Sequence, residues 1–284
     1  MQANAPSDSP TDSPSVQTSI TSMPGISVPS PRTALRQTSW LGLVPAATLD
    51  RMAEQAVLHR VPSGSTLFEQ AEIPSFAQLL VSGSVALLGV SGSAETLIEL
   101  VRPIDLLLPA AVLSRQPYLT RARVVENAHL VLIQAEVFRN AVATDHALCL
   151  AVLSCQATQF RRQIKLAKNL KLRSAEERVG CYLLALLQEG TPNMPMRLPM
   201  EKRFIAWQLG MTRETFSRIL AGRERHGLRI VGETLEIADT TSLRTRFHLD
   251  PQIDGPEPIL TFSPGEPKAS PLKPRLYQIG HSHG

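Results

Sequence analysis

Arg213, Glu214, Ser217 and Arg218 are the residues of this chain whose types and spacing point most directly to a chemistry. At i, i+1, i+4 and i+5 they share one side of a helix. A guanidinium can pair with O6 and N7 of guanine, a carboxylate can accept from N4 of cytosine, and a hydroxyl suits either edge. The group therefore carries what is needed to read bases in a DNA major groove. The competing reading is a surface helix with i,i+4 ion pairs. Enzymatic chemistry lacks a signal: there is no phosphate-cradling glycine loop, no His-Glu metal motif and no nucleophile elbow.

The elements that must hold these residues follow from the neighbouring types. Pro199 can start a first helix, since a first-turn position donates no N–H. Phe204, Ile205 and Leu209 fall at helical spacing and can bury one face. Gly210 suits a turn with positive φ. Thr212 is a candidate N-cap, with Thr215 three residues on. Phe216, Ile219 and Leu220 supply the buried stripe of a second helix. Two helices about a glycine turn match the helix-turn-helix, whose second helix offers its N-terminal residues to base edges. Thr212, Thr215 and Lys202 lie where the DNA backbone would pass. The stretch from residue 228 to 237 alternates about Gly232-Glu233 and predicts a hairpin, a wing after the second helix. From Arg197 to Arg229 there are eight Lys/Arg and three Glu, a local +5 that matters more than the chain's +4.

The stretch from Leu198 to Leu220 resembles the C-terminal half of Crp/Fnr-superfamily transcription regulators. Glu214-Thr-Phe-Ser-Arg218 is most similar to the Dnr-type branch, associated with nitric oxide and denitrification control. The resemblance implies that Glu214, Ser217 and Arg218 read the DNA half-site, and Arg213 matches an arginine of catabolite-activator members. Fnr and Dnr types favour a TTGAT-like half-site and the catabolite-activator type a TGTGA-like one. RNA polymerase is an implied partner.

Residues 41–133 read as short strands near ten residues apart, which predicts an antiparallel roll or barrel. Among them, Ala77 to Gly89 reads as strand, turn, strand. Val61-Pro-Ser-Gly-Ser-Thr-Leu-Phe-Glu69 and Leu79-Leu-Val-Ser-Gly-Ser-Val85 resemble the cyclic-nucleotide-binding-like roll of the same superfamily. A long helix is predicted from Asp145 to Lys171. On it Leu150, Leu153, Ala157, Phe160, Ile164 and Ala167 step by 3 and 4 in alternation, a coiled-coil seam. A core helix packed on its own roll is the other reading. In the family this seam forms a parallel two-fold dimer, which demands a pseudo-palindromic operator. The predicted division is a disordered tail at 1–38, a sensor roll at 39–140, a dimerisation helix at 141–172, a winged helix-turn-helix at 173–249 and a Pro-rich tail at 250–284. The fold class is α+β.

The signal is less legible. Cyclic-nucleotide members use a Gly-Glu pair for the ribose and an Arg for the phosphate. Here the matching stretch, Pro103 to Ala111 and then Tyr118 to Arg123, lacks the Gly-Glu, and Tyr118 stands near the Arg position. Arg121 and Arg123 are the candidate substitutes; the missing pair argues against cyclic AMP. An iron–sulfur cluster normally needs four thiolates, and this chain has three cysteines, Cys149, Cys155 and Cys181. The Dnr-type resemblance implies haem, for which His59, His129 and His146 are the histidines of the sensor half. His281 and His283 read as solvated. The functional expectation is a dimeric DNA-binding regulator controlled through the roll, by nitric oxide or redox signals via haem. The alternative is a constitutive or cyclic-nucleotide-responsive regulator with a degenerate roll. No basic-then-apolar leader or membrane-length apolar run is present, and the odd cysteine number predicts a reducing, cytoplasmic setting.

Overall fold

A computed structural model of the chain describes residues 30–189, 196–198, 201–222, 228–231, 234–237 and 240–256. The order is helix α1 (Pro31–Gln37), a 3-10 turn (Ser39–Leu41), α2 (Ala46–Glu54), and strands β1 (Ala56–Val61), β2 (Thr66–Phe68), β3 (Phe76–Ser91), β4 (Ala94–Val101) and β5 (Asp105–Leu107). Then come α3 (Pro109–Ser114), β6 (Arg121–Gln134), α4 (Ala135–Thr144), α5 (His146–Leu172) and α6 (Ala175–Glu189). The C-terminal part holds β7 (Met196–Arg197), α7 (Lys202–Gln208), α8 (Arg213–Ala221), β8 (Leu228–Val231), β9 (Thr234–Ile237) and α9 (Thr240–Arg246).

The roll is one antiparallel sheet in the order β1-β6-β3-β4, with β2 also paired to β6 and β5 to β3. The expected turn inside Ala77–Gly89 is a correction. Ser82-Gly83-Ser84 makes a bulge, and β3 runs through it as one strand. Gly83 sits at φ +82, and a Cβ there would lie 2.4 Å from the Asn127 carbonyl, so only glycine fits against β6. Inside the roll Phe68, Leu80, Val85, Leu87, Leu107, Tyr118, Val124 and Leu130 close the core.

The tail expected at 1–38 is corrected over its last residues. Ser30 accepts from the Thr33 N–H, Pro31 takes the first turn, and Ala34 and Leu35 are buried with Leu41, Leu49 and Met52. Apolar burial plus a satisfied helix start outweighs the local proline content there. The tail expected from 250 is corrected likewise. Residues 250–256 fold back on α5: Asp254 accepts both guanidinium nitrogens of Arg173 at 2.6 and 2.7 Å, and Lys165 donates to the Gly255 carbonyl at 2.7 Å. His281 and His283 lie outside the described residues.

Asp145 caps α5 through its bond to the Leu148 N–H. Leu148, Ala151, Val152 and Cys155 bury one face of this helix under the roll. The other face is bare: Leu153, Phe160 and Ile164 are 51%, 65% and 46% exposed. Leu150, Ala157 and Ala167 are half-buried. Among the described residues no helix is long and apolar enough to cross a membrane.

Candidate nucleic-acid interface

The predicted helix-turn-helix forms as α7, the turn at Leu209–Thr212 and α8. Pro199, the expected helix start, lies outside the described residues, and α7 begins at Lys202 after Glu201. Gly210 has φ +63, as the turn requires. Thr212 caps α8: its hydroxyl accepts the Thr215 N–H at 3.2 Å and lies 3.2 Å from the Thr215 hydroxyl. Both threonines expected on the DNA backbone thus also build the helix start. Phe216 and Leu220 are buried against Ile205 and Ala206 of α7 and against Leu209, which caps its end, with Ile219 half-buried. Phe204 departs from the expected common face. It turns away from this core, together with Trp207, onto the roll.

Arg213, Glu214, Ser217 and Arg218 are all exposed and lie on the first two turns of α8. Bonds from its own N–H and from Thr212 hold the Glu214 carboxyl below the usual range, so at neutral pH it is an acceptor only. Neither Arg213 nor Arg218 forms an ion pair among the described residues, which leaves both forks open to a ligand. Lys202 is half-buried at the start of α7. The wing exists as β8 and β9, antiparallel, with β7 added as a third strand beside β9. Its expected turn, Gly232-Glu233, lies outside the described residues.

The sensor half treats its charges differently. Tyr118 is buried inside the roll, stacked on Phe68 with ring centroids 3.7 Å apart. Burial pushes its hydroxyl up to about 12, against the pull of a bond to Gln78. Arg121 and Arg123 alternate with the inward Ala122 and Val124 and so leave the roll. Outside, Arg121 meets Glu69 at 2.6 Å and Glu95 at 3.0 Å, and Arg123 meets Glu95 at 3.4 Å. The substitute phosphate partners are therefore turned away from the interior and already paired.

The histidines do not fit a haem. His59 and His146 are exposed, and the His129 Nδ1 is 2.8 Å from the Ser82 hydroxyl. Burial first, then Arg60, keeps His129 below the usual histidine range. None of the three lines the 350 Å³ pocket between β4 and α5 or the 310 Å³ pocket between α2 and α4. Cys149 is exposed whereas Cys155 is buried with its thiol 3.4 Å from Asp105, so the two point apart. Burial pushes the Cys155 thiol well up, the opposite of a reactive thiolate.

One polar cluster escaped the sequence reading. Asp105, on the inner end of β5, accepts from Gln159 and pairs with Arg162. Arg162 also meets Glu99 at 2.8 Å, and Gln163 donates to Glu99 at 2.7 Å. Its available signal was three polar residues at i, i+3 and i+4 on a helix otherwise read for its seam, opposite a lone Asp before Leu106-Leu-Leu108.

Comparison with known proteins fits this geometry. A model of the cyclic nucleotide-binding domain matches residues 58–145, and one of the Crp-like helix-turn-helix domain matches residues 177–246. Over 191 residues the chain is 27% identical to the nitrogen fixation regulation protein FixK of Azorhizobium caulinodans, covering 64% of this chain and 74% of FixK. FixK2 from Bradyrhizobium japonicum superposes with a TM-score of 0.57 at 19% identity, over 69% of this chain and 98% of that one. The c-di-GMP-responsive global regulator CLP of Xanthomonas campestris gives 0.58 at 18%, over 69% and 100%. At such identities the two structures speak for the fold alone. The two matched models cover the roll and the helix-turn-helix in turn, and the relative identified by sequence is itself a regulator. The chain thus carries the two domains of a Crp/Fnr-type DNA-binding transcription regulator.

Proposed function

We propose that the protein binds a pseudo-palindromic operator as a homodimer, with Arg213, Glu214, Ser217 and Arg218 reading each half-site. Thr212, Thr215 and Lys202 contact its backbone. The observation that carries this reading is one chain bearing two open surfaces of opposite character. One is the charged, unpaired reading face of α8, and the other is the bare apolar seam of α5. The seam gives the two-fold axis, and the axis turns one reading face into two facing half-sites. The Glu214 to Arg218 stretch favours TTGAT-like over TGTGA-like half-sites.

The sensor proposal is control through the roll by a signal other than a cyclic nucleotide. The support is the roll interior, filled by Tyr118 on Phe68, with Arg121 and Arg123 outside it and paired. No haem enters the proposal, because the histidines are placed elsewhere. A stoichiometric Soret band after haem reconstitution would instead favour the nitric-oxide reading carried by the Dnr-type stretch.

Phe160→Glu tests the dimer. Two buried carboxylates facing each other across the seam cost several kcal/mol, on the order of the penalty for unpaired buried charge. Light scattering should give about 31 kDa, the mass of one chain, at micromolar concentration. Binding to a duplex with two inverted TTGAT half-sites should fall to that of a single half-site. A variant that stays dimeric sinks the seam. A cyclic-AMP titration of the wild type should leave that binding unchanged.

A further inference from the structure

Strand β3 is buried on both faces from Val85 to Leu88. Val85 and Leu87 face the roll interior, while Ala86 and Leu88 face outward, and none is more than 3% exposed. An antiparallel sheet whose outer face meets water alternates apolar with polar. Here the outer positions are apolar because another element covers them. Ala86, Leu88 and Leu97 form one buried cluster with Phe204 of α7, and Leu100, Val125 and Trp207 pack against it. Phe204 is 5% exposed, and the Trp207 ring meets it edge-on at 5.8 Å and 89°. The Arg203 guanidinium lies 4.7 Å over the outer face of the same ring.

Helix α7 is thus shared. Ile205, Ala206 and Leu209 belong to the core of the helix-turn-helix, whereas Phe204 and Trp207 belong to the roll. The turn that follows is also held, at the end of α5 and by α6. A Cβ on Gly210 would come within 2.3 Å of the Leu170 side chain, and Arg178 donates to the Leu209 carbonyl at 2.7 Å. In this docked arrangement the reading face of α8 stays exposed.

We propose that the outer face of the roll is a brace for the DNA-binding module, and that Phe204 and Trp207 are positioning residues for operator spacing. The inference rests on the dimeric reading above. Base contacts decide which half-site is bound but not how far apart the two reading helices stand. A module joined to α5 only through Arg173-Ser174 could swing and accept many spacings. A module seated on the roll by one face of α7 holds α8 at a single distance from the two-fold axis. Half-site spacing then becomes a property of a contact between domains.

The test uses the full chain and fluorescence anisotropy on three duplexes. One has two inverted TTGAT half-sites with centres one helical turn apart, one has the same half-sites with five base pairs inserted, and one has a single half-site. The wild type should prefer the first over the second strongly. Trp207→Ser and, from the roll side, Leu97→Gln should each lower that preference at least tenfold while leaving single half-site affinity within twofold. Trp207→Phe should restore it. An unchanged preference in both variants overturns the brace. So does an equal loss on the single half-site, which would mean that the helix-turn-helix itself was damaged. A wild type with no spacing preference refutes the dimer first, and the brace with it.

Discussion

Helix α8 and the roll use the same residue types in opposite ways. On α8, Arg213 and Arg218 stand exposed with no ion pair among the described residues, and Glu214 is kept ionised. On the roll, Arg121 and Arg123 are joined through Glu95 to one another, and Glu69 completes the set. A guanidinium whose charge is already matched by carboxylates has fewer donors and less net charge to offer a phosphate or a base edge. The difference separates the two sets better than charge does: the open arginines are available to a partner, as the proposed reading requires, and the closed ones tie β6 to Glu69 and to Glu95 of β4.

If that division is real, substitutions separate into those that cost folding and those that cost DNA binding. The largest effect is expected inside the roll. Tyr118→Ala removes a buried ring stacked on Phe68 and should destabilise the sensor domain by about 3–5 kcal/mol, as large-to-small aromatic changes in cores do. Urea unfolding followed by tryptophan-independent circular dichroism measures it. A cost well below about 1 kcal/mol would mean that the roll tolerates an empty interior. On the other side, Arg218→Ala should leave the unfolding midpoint alone, weaken operator binding by about 1–3 kcal/mol and relax base preference. A footprint and affinity that do not change would remove α8 from the reading role.

The sequence disclosed these two regions unequally, for a physical reason. The helix-turn-helix was legible because its signals are local: a glycine at positive φ, a threonine cap, an apolar stripe at helical period. The bulge at Ser82-Gly83-Ser84 was not, since a turn and a bulge use the same residues and only the Asn127 carbonyl of the distant β6 decides between them. Likewise Phe204 reads as one more core position until the roll is beside it. The fold-back of residues 250–256 depends on Arg173, 81 residues away from Asp254. The brace did leave a trace in Val85-Ala-Leu-Leu88, an unbroken apolar run in a sheet of antiparallel strands. A strand with no polar side has two neighbours, and the roll interior supplies only one of them.

The junction between the roll and the long helix α5 gives the smallest and most specific expectation. Burial raises the Glu99 carboxyl above 4.5, and Asp105 adds to this, while Arg162 opposes both. A carboxyl raised in the folded state binds more protons than the unfolded chain between 4.5 and its folded value. Glu99 therefore makes the protein more stable as pH falls through that window and less stable as pH rises through it. Asp145 has the opposite sign, because bonds from Thr48 and the Leu148 N–H hold it below 3.8. Its stabilisation is present above 3.8 and is lost as pH falls through the folded value. The windows do not overlap, so the two can be told apart. Glu99→Gln keeps an acceptor toward Arg162 but cannot lose a proton. The urea midpoint plotted against pH should flatten above 4.5 in this variant and keep its acid limb below 3.8. An unaltered slope above 4.5 would mean that Arg162 outweighs burial and that the junction is as fully neutralised as the roll surface.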